Sequence, residues 1–235
     1  MTQDDWLKLG DKWETTKSKR VILYPSLGKI LGDVKGRKIL DAGCGDGFGV
    51  RWLREKGAEC VGIDIVSEQI ESCKKKDPEG RYYVDDVKNL KINGKFDYVL
   101  SIMVLLSFDK KEDIVKAIKS MCSKLSDDGK LIIFTTHPAF DYTSENMESM
   151  MRSYSDKYSY AKKGLPTLYK HKTQGYTLND FHWMIEDYAE CIKESKLVIE
   201  NIFEPMPIPE SEKDNPEVFR ARINYPLYMA FVCKR

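Results

Sequence analysis

Three glycines on alternate positions, Gly43, Gly45 and Gly47, stand in the segment Asp41-Ala42-Gly43-Cys44-Gly45-Asp46-Gly47, where a short apolar run ends and a helical pattern begins. A turn of this composition lets a ligand approach main chain that side chains would otherwise shield, and the helix start offers it N–H groups. At the end of the next apolar run, roughly twenty residues on, comes Asp64, where a carboxylate accepts hydrogen bonds from ribose hydroxyls. Together these residues predict a pocket for an adenosine-type ligand. The spacing is GxGxG. The dinucleotide pattern GxGxxG would need glycine where Phe48 stands, so a nicotinamide or flavin dinucleotide fits poorly.

The elements that must position these residues can be read from periodicity. The runs KILDA, ECVGID, RYYV, FDYVLSI and KLIIFTT alternate with amphipathic stretches, the pattern of βαβ units around a mostly parallel sheet. FGVRWLREKG, closed by Gly57, and SEQIESCKKK, opened by Ser67 as N-cap, have helical spacing. DKKEDIVKAIKSMCSKL is the clearest helix, with Asp109 as cap, Glu112 reaching back, and Ile114, Val115, Ile118, Met121, Cys122 and Leu125 on one face. Ahead of the first run, Asp4 to Leu31 reads as helical and broken at Pro25. From His137 to Gln174 the chain turns rich in Tyr, Ser, Lys and Met without a sustained period, which predicts an inserted lid. TLNDFHWMIEDYAECIKES then reads as a helix capped by Thr177, KLVIENIFEP and YPLYMAFVCKR as strands, and PMPIPESEKDNPE as a loop between them. The expected layout is a single α/β domain: an N-terminal helical cap (1–36), a cofactor-binding core (37–137), a lid (138–174) and a C-terminal helix with strands (175–235).

DAGCGDG resembles the first motif of the class I, Rossmann-like S-adenosylmethionine-dependent methyltransferases, and GIDI resembles the second. VDDVKNL is similar to the segment after their third strand, FDYVLSIMVLLSF to the fourth strand and its exit, and LSDDGKLIIF to the turn and fifth strand. The final helix and strand pair match those of small-molecule members. The resemblance implies S-adenosylmethionine as cofactor and a seven-stranded sheet with an antiparallel C-terminal strand. It also implies a cofactor site made of Asp41, Gly43, Cys44, Gly45, Asp64, Ile65, Asp86, Val87 and Ser101. Asp86 would meet the adenine amino group, Val87 would supply neighbouring main chain, and Ser101 would offer a main-chain group to the methionine end.

Methyl transfer from a sulfonium is an in-line displacement, which positioning alone can accelerate. A hydroxyl or ammonium acceptor still needs a base, and histidine suits neutral pH. Of the three histidines, His137 follows the fifth strand at the carboxyl end of the sheet and is the expected base, with Asp141 and Tyr142 after it expected to orient it or line the substrate pocket. His171 and Tyr176 are expected substrate contacts from the lid. His182 is expected at the surface and Trp183 in the core. Aromatic residues, among them Trp6, Trp13, Tyr24 and Tyr160, concentrate in the two covering segments.

Composition narrows the partners. Lys and Arg total 38 against 37 Asp and Glu, a net charge of +1, which gives no broad attraction to phosphate backbones, so no nucleic-acid partner is expected. The six cysteines form no CxxC pair, which argues against a metal site. The start lacks a secretory pattern and no apolar stretch is long enough to span a bilayer, so the expectation is a cytoplasmic enzyme acting on a small-molecule acceptor. The rival readings are methylation of RNA or protein, and a non-catalytic cofactor-binding module whose acceptor pocket is filled by Leu105, Leu106 and Phe108.

Overall fold

All five apolar runs of the first half become strands: β1 (Lys38–Ala42), β2 (Glu59–Asp64), β3 (Arg81–Val84), β4 (Phe96–Ile102) and β5 (Leu125–Thr136). The structure is a computed structural model that describes residues 15–140, 146–147, 150–154, 159–171 and 177–235. With β10 (Val198–Phe203) and β11 (Tyr228–Lys234) they form a seven-stranded sheet in the order β10-β11-β5-β4-β1-β2-β3. β1 pairs in parallel with β2 and β4, β2 with β3, and β4 with β5, whereas β11 runs antiparallel to both β5 and β10. This is the expected mostly parallel sheet with an antiparallel C-terminal strand.

Both faces of the sheet are covered, which is why its strands read as continuous apolar runs. Ile39 lies in the core on one face with Leu27, Val50 and Leu53, and its neighbour Leu40 lies in the core on the other with Ile114, Ile118 and Ile192. The helices supplying these residues are α1 (Tyr24–Leu31) and α2 (Phe48–Glu55) on one side, and α4 (Lys111–Cys122) and α5 (Ile185–Glu194) on the other; α3 (Ser67–Lys76) follows β2.

Several local expectations are corrected. Pro25 does not break the N-terminal helix: a π-helical turn, Lys19–Leu23, runs straight into α1, and Pro25 stands just after it, where the widened π turn is the local departure from α-helical bonding. Ser67 does not cap α3. Val66 holds the cap position, its N–H donating to Asp64 Oδ1 at 3.0 Å. Asp109 does not cap α4 either, since Lys110 takes that place without a side-chain bond. The acidic loop before β11 contains two short helices, α6 (Ser211–Asp214) and α7 (Pro216–Arg222), the second capped by Asn215 Oδ1 accepting from Val218 N at 3.1 Å.

The segment expected as an irregular lid forms a second, antiparallel sheet, β6 (Asn146–Met147), β7 (Met150–Tyr154), β8 (Leu165–His171) and β9 (Thr177–His182), in sequence order. Thr177 therefore opens a strand, not a helix. The helix starts only at Ile185, where Asp187 Oδ2 accepts from Met184 N at 3.0 Å. The Asp187 side chain is fully buried and also lies 3.0 Å from Lys111 Nζ and 2.9 Å from Lys163 Nζ. One carboxylate thus ties α4, α5 and the approach to β8. Trp183 is buried as expected, its Nε1 donating to Phe108 O at 2.9 Å, and His182 is buried against expectation, its Nε2 2.8 Å from Tyr160 O.

Candidate active site

At the carboxyl ends of β1, β2 and β4, the glycine turn, the Asp86 loop and the N-terminal segment enclose a cavity of about 350 Å³. Open α/β sheets bind ligands at this edge. The turn is shaped by main-chain geometry that glycine tolerates: Gly43, Gly45 and Gly47 have φ of 89°, 52° and 71°. Gly43 N and Cys44 N both donate to Ile63 O at 2.8 Å, which fastens the turn to β2. Asp64 braces it from the same side, Oδ2 accepting from Gly45 N at 2.9 Å while Oδ1 takes Val66 N.

Beside the glycine turn, Met103 carries a φ of 60°, uncommon for a residue with a side chain, just past the end of β4. Such backbone persists only where the surroundings over-determine it. Here it delivers Met103 and Val104 to the cavity wall, beside Ile102. Asp85 and Asp86 divide their work. Asp85 accepts from Asp86 N, Lys91 N and Ile92 N, each at 2.9 Å, and so shapes the loop, whereas Asp86 spends Oδ1 on Lys88 N.

Eight of the nine residues expected at the cofactor site line this cavity: Asp41, Gly43, Cys44, Gly45, Asp64, Ile65, Asp86 and Val87. Ser101 does not. It is still inside the sheet, in register with Ile133, and fully buried, so β4 meets the cavity only from Ile102 onward. His137 is also not among the lining residues. Its Nδ1 accepts from Ala139 N at 3.2 Å, its Nε2 lies 2.7 Å from Glu204 Oε1, and its ring packs on Phe140. Both ring nitrogens are engaged in holding the chain as it leaves β5. His171 ends β8, where its main chain pairs in register with Met150, and Asp141, Tyr142 and Tyr176 lie outside the described residues.

Tyr24, expected in a covering segment, and several residues that the sequence did not single out complete the cavity. Thr15, Thr16, Lys19 and Tyr24 come from the N-terminal segment, Leu227 and Tyr228 from the approach to β11. Thr15 fastens that segment to the glycine turn, its N–H and Oγ1 donating to the two oxygens of buried Asp46 at 3.0 and 2.7 Å. Ser18 Oγ lies 3.0 Å from Tyr228 OH. Nothing in a Thr-Thr-Lys-Ser stretch announces a contact with a residue 31 positions away. Among the described residues of the second sheet, Asp180 alone lines the cavity. Leu106 and Phe108 form part of the wall and Leu105 is buried behind it, yet they leave the cavity open.

The electrostatics are set by burial. Asp41 is 2% exposed, its Oδ1 has no hydrogen-bond partner among the described residues, and its carboxyl is pushed up to about 7. Desolvation is the main cause, followed by the charge of Asp64, with Lys19 opposing. Asp64 is also raised by burial, against the N–H groups of Val66, Gly45 and Ile65. Burial lowers Lys19 to about 8, against the pull of Asp46, Asp180 and Asp41. A carboxyl whose folded value lies above its unfolded one makes the folded chain bind more protons between about pH 4 and 7, so stability falls as pH rises through that window. Asp41→Asn is therefore expected to stabilise the ligand-free protein above pH 7, with the gain shrinking toward pH 4. Urea unfolding at pH 8 and pH 5 measures it.

Comparison with known proteins agrees with this geometry. Residues 40–133 match the family described as "Methyltransferase domain". Among curated relatives, the malonyl-[acyl-carrier protein] O-methyltransferase of Hamiltonella defensa is 29% identical over 46% of this chain and 41% of its own length. The magnesium-protoporphyrin O-methyltransferase of Rhodobacter capsulatus is 29% identical over 48% and 50%. The matched part thus spans about half the length of such relatives. Among solved structures, an S-adenosylmethionine-dependent methyltransferase from Mesorhizobium loti superposes with a TM-score of 0.69 at 21% identity, over 93% of this chain and 98% of that one. Residues 40–133 thus match a methyltransferase domain, and the sheet they form has the Rossmann-like fold of the Mesorhizobium loti structure.

Proposed function

We propose that this chain transfers a methyl group from S-adenosylmethionine to a small-molecule acceptor. The observation that carries the reading is the convergence on one cavity of the glycine turn, Asp64, the Asp86 loop and a buried Asp41 oxygen without a partner. These residues fit the cofactor. Asp64 is held rigid by two main-chain donors yet still lines the cavity, so its remaining lone pairs suit a ribose diol. Asp86 and Val87 suit the adenine edge. Asp41, desolvated and with Oδ1 unpartnered among the described residues, gains a partner if an ammonium enters, and the surplus of carboxylates over lysines along the wall favours a ligand of net positive charge. When bound, the cofactor supplies an electrophilic methyl on a sulfonium.

The chain's own residues then bind, orient and exclude water. The Met103–Val104 corner packs on the glycine turn, Val104 against Gly43, and the two form adjoining parts of the cavity wall. Leu106, Phe108, Leu227 and Tyr228 offer the acceptor a largely apolar wall. Because the cavity is enclosed on the N-terminal side by Thr15, Thr16 and Lys19, the acceptor must be small or present a slender end. No proton transfer is assigned to His137, whose ring nitrogens are committed to Ala139 and Glu204.

Calorimetric titration with S-adenosylhomocysteine tests the reading. Wild type should bind saturably, and Asp64→Ala should lose about tenfold to a hundredfold in affinity, as expected for hydrogen bonds to a charged group worth about 1.5–3 kcal/mol. A folded wild-type protein that gives no binding heat and no thermal shift removes the proposal.

A further inference from the structure

Arg222 ends α7 with only 9% of its surface exposed, and among the described residues no hydrogen bond or ion pair holds its guanidinium. Other arginines of the chain are matched: Arg220, on the same helix, lies 3.8 Å from Glu212, and Arg54 lies against Asp77. A guanidinium keeps its charge at any working pH, so burying one without a partner lowers stability. An unpartnered buried charge calls for an explanation, and a ligand that arrives with the opposite charge supplies one.

The surroundings of Arg222 indicate where that ligand lies. Burial pulls the guanidinium down from its usual value, Tyr228 opposes the pull, and no carboxylate among the described residues acts on it. The influence is mutual, since Arg222 draws the Tyr228 hydroxyl down against the effect of burial. Arg222 does not itself line the cavity, but Tyr228 does, in register with Thr136, another lining residue. Directly opposed residues of an antiparallel pair share one face of the sheet, which sets the two hydroxyl-bearing side chains next to each other. Asp41, Asp64, Asp85 and Asp86 come from β1, β2 and the loop after β3, whereas Thr136 and Tyr228 come from β5 and β11, on the other side of β4 in the sheet order. The cavity is therefore acidic toward the proposed cofactor and offers hydroxyls, with a buried cation beside them, at the opposite end.

Resting on the methyltransferase reading, we infer that the acceptor is a small carboxylic acid and that Arg222 is the residue that selects it, drawing its carboxylate to the Thr136–Tyr228 end of the cavity. A single guanidinium matches one negative charge, and the hydroxyls add only neutral donors, which favours a monoanion over the dianion of a phosphate monoester. Leu106 and Leu227 line the same cavity and offer contacts to the apolar body of the acid.

The test titrates three probes that share an aryl ring, phenylacetate, phenethylamine and phenyl phosphate, by NMR against the protein saturated with S-adenosylhomocysteine. Wild type should take phenylacetate about tenfold tighter than the amine, and tighter than the phosphate. In Arg222→Met, phenylacetate should weaken about tenfold and the amine change less than twofold, with Arg222→Lys recovering part of the loss. The ligand-free Arg222→Met protein should also unfold at a higher urea concentration than wild type, because the variant removes a buried charge that has no partner. A purely structural arginine would move that midpoint the other way. The inference is overturned by equal affinity for acid and amine, by equal losses of both in Arg222→Met, or by a lowered midpoint. It is also overturned if a protein that binds S-adenosylhomocysteine takes none of the probes, and tighter binding of phenyl phosphate overturns the choice of a carboxylate. Failure to bind S-adenosylhomocysteine at all removes the methyltransferase reading instead.

Discussion

Gly43→Ala is expected to cost the protein about 2–5 kcal/mol of stability and to abolish measurable S-adenosylhomocysteine binding. Two penalties add. A residue with a side chain at φ 89° pays about 1–2 kcal/mol for the left-handed backbone. The new methyl would also stand 2.4 Å from Val104 Cγ2, and Val104, being β-branched, has little rotamer freedom with which to retreat. Overpacking of this kind costs about 1–3 kcal/mol. The relief must come from moving the Met103–Val104 corner or the glycine turn, and both are cavity walls. Gly32→Ala separates the terms. Its φ is 65° but no atom lies within 4 Å of the added methyl, so it should show only the backbone cost and bind ligand normally. Gly43→Ala with Val104→Ala should recover the steric part and not the backbone part. Urea unfolding and calorimetry on the four proteins check the scheme; a Gly43→Ala protein that binds like wild type sinks it.

Asp187→Ala is expected to destabilise by about 2–4 kcal/mol. The carboxylate is fully buried, caps α5 through Met184 N, and neutralises Lys111 and Lys163. Its removal leaves an uncapped helix and takes from Lys163 its carboxylate partner, while Lys111 keeps Glu190. Both lysines are partly solvated, at 30% and 42% side-chain exposure, which keeps the loss below that of a wholly buried pair. Burial alone would raise the Asp187 carboxyl, but Lys163, Lys111 and the Met184 N–H outweigh it and hold it below the usual range. The stabilisation is thus present above the unfolded value near 4 and fades as pH falls through the lower folded value. Wild type and variant should converge in strong acid, and thermal unfolding across pH 2.5–7 would show whether they do. Because Lys163 precedes β8, limited proteolysis should also cut the variant faster in the second sheet.

The strands of the cofactor half were legible almost to the residue because each is a short β-branched run bounded by glycine or a charged turn, and burial on both faces leaves no competing helical period. The second sheet was not. In β8, Leu165 and Thr167 face inward and Pro166 and Leu168 outward, so the alternation sets apolar residues on both sides and carries no contrast. Across β9 into α5, Phe181, Met184, Tyr188 and Cys191 fall at helical spacing although a strand ends between them, and that accident merged two elements into one. Within the cavity, Gly43, Gly45 and Asp64 were found because a tight strand-to-helix turn and a strand-end carboxylate dictate their types, whereas Asp41 and Asp86 came from the resemblance to the family's motifs. Thr15, Thr16, Lys19 and Asp180 were missed because their roles exist only through contacts between distant segments, which no local pattern encodes.

The place of β11 in the sheet bears on how the chain reaches its fold. β5 and β10 are joined only through β11, so residues 228–234 must insert between elements formed from 125–136 and 198–203. Until they do, the fully buried Leu131, Ile132, Ile133 and Phe134 border an open sheet edge. Such pairing closes a long loop before it is rewarded, which makes it a late and slow event. A chain halted before that step presents an apolar β edge to its neighbours, so refolding yield should fall steeply with protein concentration while the finished molecule stays monodisperse.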